Sequence, residues 1–459
     1  AQALANAGAM LDSALERISL DRYLSTGGKQ GNHQLIWEAL LTLPLAELET
    51  LASNEVRYET RGWYELALLA RQHDNDLDRQ LVELERWRRG WTRHPAADLL
   101  PRELQQIETI ANNRPERIAL LLPLQSPAGL IVRNAFMGAY YNLLELGGRV
   151  PSVRFYDTSA TSDVVALYRN AVLDGAELVI GPLLKEEVAL LHQQAELPVP
   201  TLALNNIEGS TPASRHLYQF SLSPEDEARQ SARLAWNDGH RRVAILHPAA
   251  EVRRSNSFAQ QWLALGGEIV SQTAFGDEYT TTISTLLELE QSNVRHRELD
   301  RLLGRQTQFQ PRRRQDIDFI YLVASPGPAR QIVPSLAYLY AGDLPVYASQ
   351  EVYSGLARPV DDRDLNGVVF GESPWVLDME VSGSKGIREH FPLEGGQALR
   401  LQAFGMDAFR LYPRLSLLEP GQSVLIPGAS GMLGMEENHN IVRHLVWTTI
   451  KDGTAYQRD

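Results

Sequence analysis

The sequence predicts an α/β protein in which two doubly wound parallel-sheet lobes follow an all-α domain. Three observations carry this. From residue 117 onward, short apolar runs alternate with helical patterns, and that alternation builds parallel sheets with right-handed crossovers. Residues 118–122 are apolar without a break, as suits a strand covered on both faces. Residues 1–114 show helical patterns only.

The all-α region opens with a helical pattern over residues 11–20. Gly27, Gly28 and Gly31 then predict a loop. A second helix is expected over 32–43, ended by Pro44. Residues 45–51 give a short helix. Residues 62–71 and 77–91 make an antiparallel pair around His73, Asp74 and Asn75. Pro95 stops that pair, and 102–111 closes the region. Trp37, Trp63, Trp87 and Trp91 all lie here. Large aromatics between short paired helices suit a tetratricopeptide-like array, where each pair buries its face on the next. These tryptophans are therefore expected to be core.

After residues 112–115 the strand–helix rhythm begins. Pro123 ends the first strand because it has no N–H for a ladder. Ser126, Pro127 and Gly129 form a loop. The next helix carries Ile131, Ala135, Ala139 and Leu143 on one stripe. Strands are predicted at 153–157, 178–180, 201–204 and 217–220. The helices between them cover 162–174, closed by Gly175, and 185–197, stopped by Pro198. Ser223-Pro224-Glu225-Asp226 combines an N-cap, a first-turn proline and first-turn acids, so a helix starts there. It runs to about Asn237. A second series has strands at 242–246, 268–272, 319–324, 346–348 and 367–370. Its helices are expected at 257–265, 283–289, 332–339 and 398–411. Residues 423–426 and 441–447 read as hairpin strands around Gly428-Ala429-Ser430-Gly431.

Composition sets bounds. A length of 459 residues suggests about three domains. The net charge of -13 argues against nucleic acid as a partner, since phosphate binding needs a positive field. The absence of cysteine excludes disulfides, thiolate metal sites and cysteine catalysis. No apolar run is long enough to span a bilayer. The start, AQALANAGAM, shows neither a basic n-region nor an apolar h-region, so no export signal is expected in this chain.

Several stretches carry a resemblance. RIALLLPL, VIGPL (179–183), the run from Gln219 to Pro248 and the closing PGASGMLGMEENHNIVRHLVWTTIKDG resemble the type I periplasmic binding fold. Residues 302–336, 341–355, 365–375 and 404–411 resemble, more specifically, the LpoA family of penicillin-binding protein activators. IWEALLTLP and GWYELALLAR extend the resemblance into the helical region. The resemblance implies a tetratricopeptide-like domain at 1–114 and a binding-protein-like domain at 115–459. Lobe 1 would comprise about 115–222 and 366–420, and lobe 2 about 223–365 and 421–459. It further implies a periplasmic lipoprotein of the outer membrane. That protein would bind a class A penicillin-binding protein and stimulate its transpeptidase, without catalysis or cofactor of its own. Membrane attachment would run only through a lipid anchor absent from this chain.

Three sets of candidate residues follow. The first is the cleft at the carboxyl ends of the strands, where ligands sit in open α/β sheets. Ser126, Asp157, Thr158, Leu183, Asn205, Asn206, His247, Ser325 and Gln350 fall there. They admit either a small polar ligand, as in a solute receptor, or plain turn formation. Amino-acid receptors of this fold favour small hydroxyl residues after the third strand. This chain has Leu183, Leu184, Lys185 and Glu186, which weakens that reading.

The second set is Arg295, Arg297, Arg301, Arg305, Arg312, Arg313 and Arg314. Arginine forks pair with carboxylates, so these residues suit either an acidic partner face or the chain's own acids. The third set is catalytic and poor. Ser382-Gly383-Ser384-Lys385 matches S-x-x-K, but no K-T-G follows. In the segment Gly428–Gly431, Met432 stands where a nucleophile elbow needs glycine. The eleven histidines form no zinc motif.

Overall fold

The computed structural model describes the whole chain except residues 7, 74–75, 208–213, 382–383, 385, 394, 419–423 and 459. Asp74, Asn75, Ser382, Gly383, Lys385 and Ser423 from the sequence reading therefore lie outside the described residues.

The described part of residues 1–113 is a series of helices joined by short connections. Met10–Asp21 packs on Thr26–Leu41, and Leu45–Asn54 on Tyr58–Gln72, which in turn meets Leu77–Gly90. The expected loop at Gly27, Gly28 and Gly31 is instead the opening of the helix Thr26–Leu41. A Cβ at Gly27 or Gly31 would meet nothing within 4 Å, so these glycines lie on an open face. Tertiary burial of Ile36, Trp37 and Leu40 supports a helix that local propensity opposes. Trp37, Trp63 and Trp87 are core, as expected, whereas Trp91 is only partly buried against it. At the centre, the His94 ring meets Trp63, Trp87 and Trp91 edge-on. Gly62 permits this, because a Cβ there would stand 2.4 Å from the His94 ring. Burial lowers the His94 pKa to about 4, so the ring is neutral.

The α/β part holds two sheets. The first contains β1 (Arg117–Leu122), β2 (Ser152–Asp157), β3 (Leu178–Ile180), β4 (Thr201–Ala203) and β5 (Leu217–Phe220), all parallel. The second contains β6 (Arg242–Pro248), β7 (Glu268–Phe275), β8 (Phe319–Leu322), β9 (Val346–Ala348) and β10 (Val369–Glu372), again parallel. The chain then returns to the first sheet with β11 (Ile426–Pro427), β12 (Met432–Met435) and β13 (Asn440–His444). It closes in the second with β14 (Val446–Lys451) and β15 (Thr454–Gln457). The orders are β11-β12-β13-β5-β4-β3-β1-β2 and β15-β14-β10-β9-β8-β6-β7.

This corrects the expected lobe boundaries. Residues 366–420 are expected in lobe 1, but β10 pairs with β9 in the second sheet. Residues 421–459 are expected in lobe 2, but β11, β12 and β13 extend the first sheet, with β13 parallel to β5. Only β14 and β15 fit lobe 2. The expected single strand 441–447 is two strands divided at Leu445, one per sheet. An apolar alternating run states which face is buried, not which sheet edge receives it.

The helix Gly396–Leu411 joins the lobes. Leu399, Ala403 and Met406 enter the core of the second lobe. Phe404, Ala408 and Phe409 enter that of the first. It lies along Pro127–Glu145 so closely that a Cβ at Gly405 would stand 2.5 Å from the Val132 carbonyl oxygen. The helical domain shares a continuous apolar core with lobe 1, and Arg114 pairs with Asp78 at 2.7 Å beside it.

Candidate functional site

The arginine set divides. It lies on the helix Leu289–Leu303 and the extended segment that follows, which together form an arm on the second lobe. Leu289 and Ser292 are the buried residues of that helix, so its remaining turns stand out from the core. The following segment folds back on it. Asp300 accepts hydrogen bonds from the Thr307 amide at 2.9 Å and its hydroxyl at 2.7 Å. The Phe309 ring stacks on His296 at 4.0 Å. Thr307, helped by His296, holds the Asp300 carboxyl below its usual range.

Three arginines are spent internally. Arg297 pairs with Glu290, Arg313 with Asp343, and Arg314 with both Glu288 and Asp316. Arg295, Arg301, Arg305 and Arg312 have no acidic partner among the described residues, and all four are exposed. Beside them Leu302 is 84% exposed, with Leu299 and Leu303 about half exposed. Free guanidinium groups next to exposed leucines are unusual on a chain of net charge -13. Sequence spacing placed these arginines in one segment, but could not say which were already paired.

The cleft candidates form two rows, one per lobe, at the ends of the parallel strands. In lobe 1 all but Thr158, whose buried hydroxyl has no hydrogen-bond partner among the described residues, are absorbed by local structure. Ser126 caps its helix by accepting from the Gly129 amide at 3.0 Å. Asp157 accepts from the Leu124 and Ser159 amides at 3.0 and 2.9 Å. Thr158 is buried beside it. The Asn205 amide donates to the Leu183 carbonyl at 3.0 Å, and its oxygen accepts from the amide of buried Asn206. In lobe 2, His247 is buried with Nδ1 2.9 Å from the Pro248 carbonyl. Ser325 stands at the N-cap of Pro326–Tyr338 without a side-chain cap bond. Gln350 is different: its amide N–H donates to Glu227, while its side-chain oxygen is buried without a partner.

Gln350 belongs to a buried ionic network that sequence reasoning missed. Arg400 meets Glu372 through Nε at 3.1 Å and donates to the Gln350 carbonyl at 2.8 Å. Arg254 pairs with Glu351 and lies 3.9 Å from Glu227. Burial pushes the Glu227 carboxyl up, against the pull of Arg254, and pushes the Tyr321 hydroxyl well up. Burial likewise lowers the Arg443 pKa. The only signal in the sequence was charge at positions that helical periodicity assigns to the core.

Of the catalytic set, Ser430 is committed to structure. Its hydroxyl donates to Asp407 at 2.6 Å, and the Ala429 and Ser430 amides donate to the same carboxylate. This pins the Gly428–Gly431 turn to the helix Gly396–Leu411. Among the described residues, no group of three or more His, Asp or Glu is placed to hold a metal ion. No described helix is long and apolar enough to cross a membrane.

Comparison with known proteins adds three findings. The family model described as "LppC putative lipoprotein" matches residues 1–453. A protein of Photobacterium profundum named penicillin-binding protein activator LpoA is 28% identical over 97% of this chain and 74% of its own length. The structure of the LpoA (YraM) C-domain from Haemophilus influenzae, described as a regulator of PBP1A, superposes with a TM-score of 0.61 at 24% identity. It covers 75% of this chain and all of the other. The two-lobed part thus has the periplasmic-binding-protein-like fold that the resemblance implied.

Proposed function

Since the chain belongs to the LppC lipoprotein family, we propose that it is a non-catalytic regulator of peptidoglycan synthesis. In this reading it binds a class A penicillin-binding protein at the periplasmic face of the outer membrane and raises that enzyme's transpeptidase activity. The relatives named as penicillin-binding protein activators support the partner. The observation that carries the reading in this chain is the arm with Arg295, Arg301, Arg305 and Arg312 unpaired beside Leu299, Leu302 and Leu303. Four guanidinium forks and an apolar strip fit a partner surface that offers carboxylates around apolar side chains.

Activation by binding requires differential affinity. The regulator must hold the synthase's active conformation more tightly than its resting one. Nothing in that mechanism needs a reactive group on the regulator. Biolayer interferometry with an immobilised class A synthase tests the docking step. The chain is expected to bind, and simultaneous reversal of Arg295, Arg301, Arg305 and Arg312 to glutamate to abolish binding. Undiminished binding by that variant would clear the arm of the role.

A solute receptor closing on a small polar ligand is the second reading. The buried, partnerless Gln350 side-chain oxygen and Ser349 hydroxyl, both just beyond β9, favour it. The lobe 1 row opposes it, since Asp157 and Asn205 are already saturated by their own loops. A thermal-shift panel of amino acids discriminates, because a ligand of the native state raises the melting temperature.

A further inference from the structure

We propose that the cavity where the helical domain, lobe 1 and the helix Pro224–Asn237 meet is a binding site for a zwitterionic amino acid or short peptide. The cavity measures about 340 Å³, within the span of small-molecule sites, roughly 300–1,000 Å³. It is distinct from the interlobe cleft and from the arm. It is built from three parts of the chain. Glu38 comes from the helix Thr26–Leu41, and Arg229 and Arg233 from Pro224–Asn237. His444 and Glu436 come from β13 and the end of β12.

Its chemistry is bipolar. One Glu38 carboxylate oxygen is buried without a hydrogen-bond partner. A buried acceptor left without a donor is costly, and a ligand ammonium or amide N–H placed there removes the cost. Burial pushes the Glu38 pKa up to about 7, despite contact with Gln34 and the fields of Arg17 and Arg102. Arg233 has no hydrogen-bond or ion-pair partner among the described residues, although its charge acts on Glu436 and His444. Arg229, one helical turn earlier on the same face, is shared with Asp226. Two guanidinium groups four residues apart suit a carboxylate.

Between these poles, Leu425, Met435 and Val442 supply an apolar wall. A polyanion such as a nucleotide fits poorly, because Glu38, Asp226 and Glu436 oppose it. A simple hydrocarbon would leave Glu38 and Arg233 without partners. A molecule with one ammonium, one carboxylate and an aliphatic body satisfies the whole set. Such a ligand would touch all three parts of the molecule at once.

The test is isothermal titration of the full chain with alanyl-alanine, leucyl-alanine, free alanine and free leucine. N-acetylated and C-amidated forms of both dipeptides complete the panel. At least one free zwitterion is expected to bind. Capping either end is expected to weaken it by roughly tenfold or more. Arg233→Ala and Glu38→Gln are each expected to do the same, with a cooperative thermal transition no lower than that of the natural chain showing that the variants fold. Arg233 is exposed, so its variant is the cleaner one. Silence from the entire panel would overturn the proposal. So would equal binding of capped and free forms, or binding that neither variant weakens. The readout involves no synthase, so it stands or falls apart from the regulator reading.

Discussion

Arg400 and Glu372 form an ion pair inside the protein, with 6% and 0% of their side chains exposed. The pair sits where the helix Gly396–Leu411 meets the end of β10, and Arg400 also ties down the carbonyls of Gln350 and Tyr353. The helix that joins both lobes is thereby fixed to the second by charge as well as by packing. Removing one partner leaves the other charge buried alone. Arg400→Ala is expected to destabilise the two-lobed part by about 3–5 kcal/mol. Replacing both residues together, as Arg400→Met with Glu372→Gln, is expected to cost much less. Urea unfolding of the three proteins, followed by fluorescence, checks the difference.

Packing at the same junction depends on Gly405. A methyl group there would meet the Ala135 side chain at 2.9 Å as well as the Val132 backbone. Gly405→Val must push Gly396–Leu411 off Pro127–Glu145 and is expected to cost about 1–3 kcal/mol or more. Thermal unfolding of the variant measures this. An unchanged midpoint would show that the helices are not held at that separation.

The helical domain carries a pH signature. Burial raises both Glu38 and Glu103 to about 7 from a usual 4.5. The folded state therefore binds more protons than the unfolded one between those values. Stability from these groups is highest at the acid end and is lost as pH rises through 7. His94, lowered to about 4, acts oppositely, and its contribution is lost as pH falls from 6.5 towards 4. Glu103→Gln isolates the first effect. At pH 8 the variant is expected to be more stable than the natural chain by about 1–3 kcal/mol. The two should converge near pH 5. Unfolding curves at four pH values decide it.

The division of the arginine set makes a sharper prediction than the set as a whole. Reversing Arg295, Arg301, Arg305 and Arg312 to glutamate is expected to leave stability nearly unchanged, since none is paired or buried. Reversing Arg313 and Arg314 is expected to lower it, because each holds an acid from another segment or a neighbouring turn. Comparing unfolding midpoints of the two multiple variants checks this. Equal losses would mean the first four make contacts after all.

Much of the fold was legible because it rests on local signals. Strand–helix alternation, the Ser223-Pro224 cap and the all-apolar β1 each state their structure within a few residues. The glycines before Asn32 misled because their helix is supported by Ile36 and Trp37 packing on distant chain. The lobe boundaries misled for a similar reason. Nothing within 426–457 records that β13 lies beside β5, more than 200 residues away, while β14 pairs with β10. At the candidate sites, residue type showed where arginines cluster. Only coordinates show that Asp343 neutralises Arg313 and leaves Arg312 free. The Glu227, Glu372 and Arg400 network was barely legible: Glu227 and Arg400 fall on the buried faces of their helices, but Glu372, on a strand, carries no such mark.

A regulator of this kind raises another enzyme's activity by binding it. The most direct measurement is peptide cross-link formation by a purified class A synthase on lipid-linked precursor, with and without equimolar chain. Cross-linked product is expected to rise with the natural chain, and not with the variant in which Arg295, Arg301, Arg305 and Arg312 are replaced by glutamate. Cross-linking that is the same with and without the natural chain would contradict it.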